Sequence, residues 1–426
     1  MTLQAGGENY NEILKMPLLT DGIGGTGGVI KSQCEDFVVE EVPLYQPCGE
    51  GTHSYIFIEK RGLTTSEAAN RLAKALGRAA RDVGFAGLKD ARAVARQWFS
   101  IEHVEQDRLR NLQLDNPRIL QIERHRNKLK LGHLAGNRFI IKIRKLDLPL
   151  EKACSVASEV LPILERRGVP NYFGPQRFGS AMGNHLLGKA VLNEQAEKFV
   201  DLFLDELPAK AGSSAEAAQL YRQGDYEQAY RKWPGQAVDE RRALKVLIKS
   251  GGDKEAAYRA VNNNLKKFFV SAYQSYVFNR VLAARMPAID RIMEGDMAYI
   301  HNHGACFRVE DAGAEQPRCD AFEISPTGPL FGLRMTRLTG PAGEIENVIL
   351  KDEGIEGDDW RGTWYSKPRG GRRPLRFQPR NWTVASGLDD AGEYLELSFE
   401  LDSGCYATTL LREVTKEQFP EPAESC

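Results

Sequence analysis

The sequence predicts a mixed α/β chain of the α+β kind, in which a strand-rich part is interrupted by a mostly helical one. Three observations carry this. Strand-like patterning runs through residues 29–62 and returns near the C-terminus, where Tyr394, Leu395, Leu397, Phe399 and Leu401 mark the alternation of EYLELSFELD. Between these parts, 184–290 takes a helical period, as in SAEAAQLYRQGDYEQAYRKW and DKEAAYRAVNNNLKKFFVSAYQSYVFNRVLAARM. The length, 426 residues, is enough for two or three folding units. A chain that begins and ends in strands around a helical middle reads as one domain holding an inserted second one.

Taken in order, residues 1–28 are polar, end in DGIGGTGG and read as a flexible lead-in. The run Gly22-Ile-Gly24-Gly25-Thr-Gly27 matches G-x-G-x-x-G. The strand expected before a dinucleotide loop is missing, however, and the next stretch, VIKSQCEDFVVEEV, looks like strand rather than helix. We read it as a turn-rich linker. DFVVEEV and SYIFIEKRG are strands, and Thr64 with Glu67 forms a capping box ahead of a helix through AANRLAKALGRAA. VGFAGLKDARAVARQWFSIEHV reads as strand–loop–strand, and KLKLGHLAGNRFIIKIRKLD as a further β stretch. In 151–167, Ala153, Val156, Ala157, Val160, Leu161 and Leu164 recur at helical spacing, with Gly168 placed to end the helix. Beyond 290 come short strands rich in Gly and Pro, then the arginine-rich KPRGGRRPLRFQPRNW.

Composition narrows the function. Charges nearly cancel, with 57 Lys plus Arg against 58 Asp plus Glu and a net charge of -1, which argues against binding by bulk positive charge. The sum hides opposed patches: 367–380 carries Lys or Arg at six positions and no acid, 124–130 is also cationic, and the tail after Arg412 is mainly acidic. No apolar run approaches a membrane span, and the N-terminus lacks the pattern of a secretory signal. The seven cysteines are odd in number, scattered and without C-x-x-C, so neither a disulfide framework nor a zinc ribbon is expected. His301-Asn302-His303 with Cys306 lacks a second ligand pair and reads as a polar loop.

The densest chemistry lies in GFAGLKDARAVARQW, 84–98. Gly84 and Gly87 permit close backbone approach, and Asp90 stands among Lys89, Arg92 and Arg96, surroundings that favour the ionised carboxylate an anionic nucleophile requires. The same pattern also describes a loop aspartate capping a helix or pairing with an arginine, and periodicity alone favours that plainer reading. Lys31 precedes Phe37 by six residues, Arg124, Arg126, Lys128 and Lys130 form a cationic strand, and Asn137 and Phe139 follow a glycine. Cations for phosphates and aromatics for unpaired bases are the logic of RNA binding. Taken singly, Phe37 and Phe139 could be core and the charges a solvated face.

GLKDARAVARQW resembles the signature of the TruD family of pseudouridine synthases. The likeness extends to IKSQCEDFVVEEV, RHRNKLKLGHLAGNRF, GVPNYFGPQRFG, SAYQSYVFNRVLAAR and SGCYATTLLRE, in family order from about 29 to 416. The resemblance implies a pseudouridine synthase catalytic domain with a mixed, largely antiparallel sheet, split into 29–167 and 372–426 around an inserted TruD domain at 168–371. It implies isomerisation of uridine, typically at position 13 in the D arm of tRNA, with Asp90 as the essential aspartate. Lys31 would pair with Asp90, Phe37 and Phe139 would pack on the base, Asn137 would lie beside it, and Lys89 keeps the family pattern. Arg124, Arg126, Lys128, Lys130, Arg177, Arg372 and Arg373 are the expected RNA contacts. Expected further are tRNA as partner, a monomer in the cytoplasm, and no membrane, metal or organic cofactor. An idle RNA-binding protein on the same fold is the alternative. Two positions depart from the family: Ala91 stands where a basic residue is usual and Ala95 where a Thr is usual.

Overall fold

The structure is a computed structural model and describes residues 16–208, 212, 214–355 and 368–417. The first 15 residues of the expected lead-in, Lys367 and the tail from 418 lie outside the described residues. The chain divides into two compact units. One holds Thr20–Val169 and the described chain from Phe377; the other holds Met16–Leu19 with Pro170–Arg376.

The first unit contains strands β1 (Phe37–Pro43), β2 (His53–Arg61), β3 (Gly84–Phe85), β4 (Val94–Glu102), β5 (Arg118–His125) and β6 (Leu134–Arg144). Its helices so far are α1 (Thr65–Ala75), α2 (Gln106–Arg110) and α3 (Leu150–Arg167). Helix α1 opens on the expected capping box: Glu67 N donates to Thr64 Oγ1 (3.1 Å) and Thr64 N to Glu67 Oε2 (2.7 Å). Helix α3 ends at Gly168, whose φ of 91° lies in the region that favours glycine. The chain leaves this unit at β7 (Val169–Pro170).

The intervening unit begins with helices α4 (Asn184–Leu192), α5 (Ala196–Asp201), α6 (Ala215–Arg222), α7 (Tyr226–Lys232), α8 (Val238–Ser250), α9 (Lys254–Ala260) and α10 (Asn263–Arg285). The helical run from 253 forms two helices, because Asn262 breaks it and caps α10 by accepting from Asn264 N (2.8 Å). A small antiparallel sheet comes next, made of β8 (Met297–Ile300), β9 (Cys306–Arg308), β10 (Ile324–Leu330) and β11 (Gly371–Pro374), with α11 (Ala312–Asp320) and α12 (Gly340–Asp352). The chain returns at β12 (Arg376–Phe377) and closes with β13 (Arg380–Asp389), β14 (Gly392–Asp402) and α13 (Ala407–Thr415). Arg372 and Arg373, which the sequence reading gives to the returning catalytic segment, thus sit on β11 of the intervening unit.

The main sheet runs β13-β14-β6-β1-β4-β2-β5. Only β1 and β4 pair in parallel; the other pairs are antiparallel, so the sheet is mixed and largely antiparallel. One edge of β4 is fully paired with β2. Along the other edge lie β1, opposite Val94–Arg96, and β3, opposite Phe99 and Ser100. The loop 86–93 leaves β3 and re-enters at the start of β4, so it is anchored at both ends on that one edge. Ile56, Ile58, Phe99 and Ile101 pack beneath Ala68, Ala69, Leu72 and Ala73 of α1 and make the core under the loop rigid.

Two expectations are corrected here. The described part of the lead-in is packed rather than flexible: Thr20 Oγ1 donates to Glu413 Oε2 (2.6 Å) and Thr26 N to Val414 O (3.1 Å). Glycine permits this approach, since a Cβ on Gly25 would stand 2.4 Å from Thr415 O. The glycines lead into Val29, bridged to Arg144, and not into a helix. Nor is 124–130 one strand, because β5 stops at His125 and a turn succeeds it.

Candidate active site

Asp90 sits in the loop 86–93 with its side chain 53% exposed, and several backbone groups of that loop have partners elsewhere in the unit. Gly132 N donates to Ala86 O (2.9 Å) and Gln97 Nε2 to Gly87 O (3.3 Å). Lys89 N donates to Thr65 Oγ1 (2.9 Å), and that hydroxyl donates to Gln97 Oε1 (2.9 Å). The buried Lys60 ammonium donates to Asp90 O (2.9 Å). A loop held this way presents its carboxylate with little freedom, as preorganised sites require.

Lys31 approaches that carboxylate from the chain ahead of β1. Its Nζ lies 2.7 Å from Asp90 Oδ2 and 4.3 Å from the centre of the Phe37 ring. Lys31 has φ 56°, a left-handed conformation that costs a non-glycine residue on the order of 1 kcal/mol. The segment is tied down nearby: Arg144 Nε donates to Asp36 Oδ1 (2.9 Å), while its Nη1 and Nη2 donate to Asp389 (2.8 and 2.7 Å). Arg144 first, then Lys142, holds the Asp389 carboxyl well below the usual carboxylate range.

Lys89 points away from Asp90, into the sheet. Its Nζ meets Glu41 Oε2 at 3.1 Å, and both side chains are almost wholly buried. Glu41 Oε1 accepts from Trp98 N (3.4 Å), so the carboxylate serves the stretch of β4 lying between its pairings with β1 and β3. Burial pushes the Glu41 carboxyl up, and Lys89 opposes that shift. The sheet places Asn137 directly opposite Glu41, and the Asn137 Oδ1 atom is buried without a donor among the described residues. Such an orphan calls for a partner, and a ligand N–H would supply one. Phe139 bridges Phe37 (ring centres 6.0 Å, edge-on) and Phe399 (5.5 Å), forming an aromatic row on the same sheet.

The structure therefore places Lys31 against both Asp90 and the Phe37 ring, pairs Lys89 with Glu41, and sets Asn137 opposite Glu41 in the sheet. The expected RNA contacts fare unevenly. Arg124 pairs with Glu105 (3.2 Å), Arg126 with Glu50, and Lys128 Nζ donates to Arg81 O (2.7 Å), while Lys130 is exposed. Exposed ion pairs are worth at most about 1 kcal/mol, so a phosphate can replace such partners. Arg177, Arg372 and Arg373 belong to the other unit. Arg177 Nε donates to Ser275 Oγ (3.2 Å) beside the Phe173 and Phe268 rings. Arg373 lies over the Phe173 ring and donates to Asn171 Oδ1. Arg372 has a side chain only 4% exposed, and its guanidinium is committed to Glu346 (2.7 Å). The cationic segment read at 367–380 is thus in good part internal: Arg376 too is fully buried.

Sequence reasoning missed Lys60, Glu41 and Thr65. A signal for the first two existed. Lys60 falls in phase with Ile56 and Ile58 on β2, and Glu41 in phase with Phe37 and Val39 on β1, so each charge occupies an apolar position of a strand.

Compared with known proteins, the chain falls in the class of pseudouridine synthases, the isomerases that remodel uridine in RNA. Within that class it belongs to the TruD family, whose model, described as tRNA pseudouridine synthase D (TruD), matches residues 14–414. It is 47% identical over 408 residues to tRNA pseudouridine synthase D of Geobacter metallireducens, covering 95% of this chain and 98% of the relative. It is 37% identical over 422 residues to the protein of the same name from Thermus thermophilus, covering 96% and 97%. A crystal structure of a TruD protein from Methanosarcina mazei superposes with a TM-score of 0.86 at 28% identity, covering 98% of this chain and 99% of that one. No helix among the described residues is long and apolar enough to cross a membrane.

Proposed function

We propose that this chain converts uridine to pseudouridine in tRNA, at position 13 of the D arm, with Asp90 as the reactive carboxylate. The observation that carries this is the Lys31–Asp90 pair, 2.7 Å apart, standing against the Phe37 ring on a loop clamped to the sheet. The target base lies within a folded arm and must be unstacked before reaction. Asp90 then either attacks C1′ of the ribose or takes a 2′ proton to give a glycal. Either route breaks the C1′–N1 bond. The freed uracil turns and C5 bonds to C1′. This either displaces the Asp90 carboxylate from C1′ or, on the glycal route, accompanies return of the proton from Asp90 to C2′. The C5 proton then leaves to a base or to solvent, and N1 takes one up. The atoms balance without an external group, so the reaction draws on neither a metal nor an organic cofactor. Phe37 and Phe139 hold the ring, Lys31 orients and neutralises the carboxylate, and Asn137 Oδ1 accepts from a base N–H. Arg124, Arg126, Lys128, Lys130, Arg177 and Arg373 meet phosphates; the paired and buried Arg372 is left out of this set. We read the enzyme as a monomer working in the cytoplasm.

Asp90→Asn tests the assignment. It should abolish tritium release from C5-labelled tRNA while leaving tRNA affinity within about threefold. Full activity in that variant would end the reading. Mapping the product by carbodiimide-blocked reverse transcription fixes the position, and a wild-type chain that binds tRNA without forming pseudouridine would favour the idle RNA-binding alternative.

A further inference from the structure

Lys60 has no role in the chemistry above, yet it is among the largest side chains in the molecule to be completely buried. A lysine ammonium carries three N–H donors. Here Nζ lies 2.5 Å from Leu63 O, 2.9 Å from Asp90 O and 3.4 Å from Lys89 O. The Lys89 carbonyl belongs to the peptide before the Asp90 Cα and the Asp90 carbonyl to the peptide after it. One buried cation thus grips both peptides from which the reactive side chain hangs, and ties them to the end of β2. Burial of a charge is costly, and an apolar residue would suit the Ile56–Ile58 phase of this strand better, so its presence asks for a reason.

We propose that Lys60 is a positioning residue for the isomerisation: its ammonium fixes the two peptides flanking Asp90 and so aims the carboxylate at the ribose. This rests on the reading of Asp90 as the reactive group. The clamp is complete only in the charged form, because a neutral amine has two donors and would turn its lone pair toward a carbonyl. Burial brings the Lys60 ammonium down to about 8. The groups facing it are Asp90 and Lys89 on the loop, Glu67 from α1 and Cys34 from the chain ahead of β1; Asp90, Glu67 and Cys34 raise it and Lys89 lowers it. Lys89 is itself paired with Glu41 of β1. Deprotonation therefore slackens the loop within a pH range where the protein can be assayed.

The test uses the full chain, single-turnover tritium release from C5-labelled tRNA between pH 7 and 9.5, tRNA affinity and thermal unfolding, in wild type, Lys60→Met and Lys60→Arg. Wild type should lose rate above about pH 8. Lys60→Met should fold, bind tRNA within about threefold of wild type, react about a hundredfold more slowly, the scale of a one-ångström misplacement, and show no alkaline limb. Lys60→Arg, charged throughout, should also lack the limb. A folded Lys60→Met chain as fast as wild type overturns the proposal, as does a limb unchanged in either variant. If neither variant folds, a wild-type rate that stays flat to pH 9.5 overturns it. Asp90→Asn run alongside separates the failures: activity there removes the Asp90 reading, whereas an inactive Asp90→Asn with a fully active Lys60→Met removes only the role of Lys60.

Discussion

The corner of the main sheet under loop 86–93 and the helical region α4–α10 differ in how much charge they bury at one place. Beneath the loop lie Lys60, the Lys89–Glu41 pair and, toward Lys31, the Asp36–Arg144 pair, all with little or no exposure. In the helical region the interior is mainly Phe199, Phe203, Trp233, Leu244, Leu247 and Phe269 with their apolar neighbours, and its buried charges, Lys266 and Arg285, are spread along α10. Apolar burial stabilises at about 25 cal/mol per Å², whereas a buried ion pair returns little beyond its own desolvation. On the proposed reading, the helical core contributes mainly stability and the sheet corner mainly the placement of Asp90, Lys31 and Asn137.

The sharpest way to break this contrast is Lys89→Met. It leaves the Glu41 carboxyl buried without its cation, and removing one partner of a buried pair costs about 3–5 kcal/mol. Because burial already pushes Glu41 toward its protonated form, the loss should sit at the low end and shrink as the pH falls. Lys89→Met with Glu41→Gln should recover most of the stability, measured by urea unfolding, and little of the tritium-release rate. Recovery of both would mean the pair is merely structural. Phe199→Ala probes the other side. The ring is fully buried against Phe203, Tyr258 and Phe269 at 5.2–6.0 Å, so truncation should cost about 3–4 kcal/mol. The rate per folded molecule should stay within about twofold at a temperature where the variant remains folded. A drop well beyond that would place the helical core in the reaction.

The same contrast explains what the sequence made legible. Local signals read well: the Thr64–Glu67 box, the α3 stripe with Gly168, and the loop between β3 and β4 all depend on neighbours in the chain. Their failures are pairings through space. Glu41 is 48 residues from Lys89, and Asp36 is 108 from Arg144, so no window of the sequence holds both partners. Arg372 looks like part of a basic patch until Glu346, 26 residues away, is placed against it. The described lead-in looked mobile because its glycines were read without α13, the helix that they allow it to touch. Of the candidate site, Asp90, Lys31, Phe37 and Asn137 are the residues that motif likeness points to. It does not point to the residues that hold them, although a charge in the apolar phase of β1 or β2 was there to be noticed.

His185 on α4 gives the smallest and most selective test, because it is a buried titratable ring within the helical region. Its ring is tilted over Tyr276 (4.5 Å) and edge-on to Phe178 (5.8 Å), and both ring nitrogens are buried without a hydrogen-bond partner among the described residues. Burial pushes the imidazole from 6.5 down to about 4, against the pull of Glu353 and with the help of Lys189. The folded value lies below the unfolded one, so between pH 6.5 and 4 the unfolded chain binds the extra proton and stability falls as the pH drops. The loss should level off below pH 4 and amount to about 1.4 kcal/mol at pH 5.5. His185→Leu removes the titration and should flatten that part of the curve, read by urea unfolding at pH 7, 5.5 and 4.5. If the helical region instead keeps the same acid slope with leucine in place, its acid sensitivity comes from surface charges and His185 is already hydrated in the folded state. Buried water on an imidazole is how such an apolar core would tolerate one polar ring, and the flat or unchanged slope decides between the two.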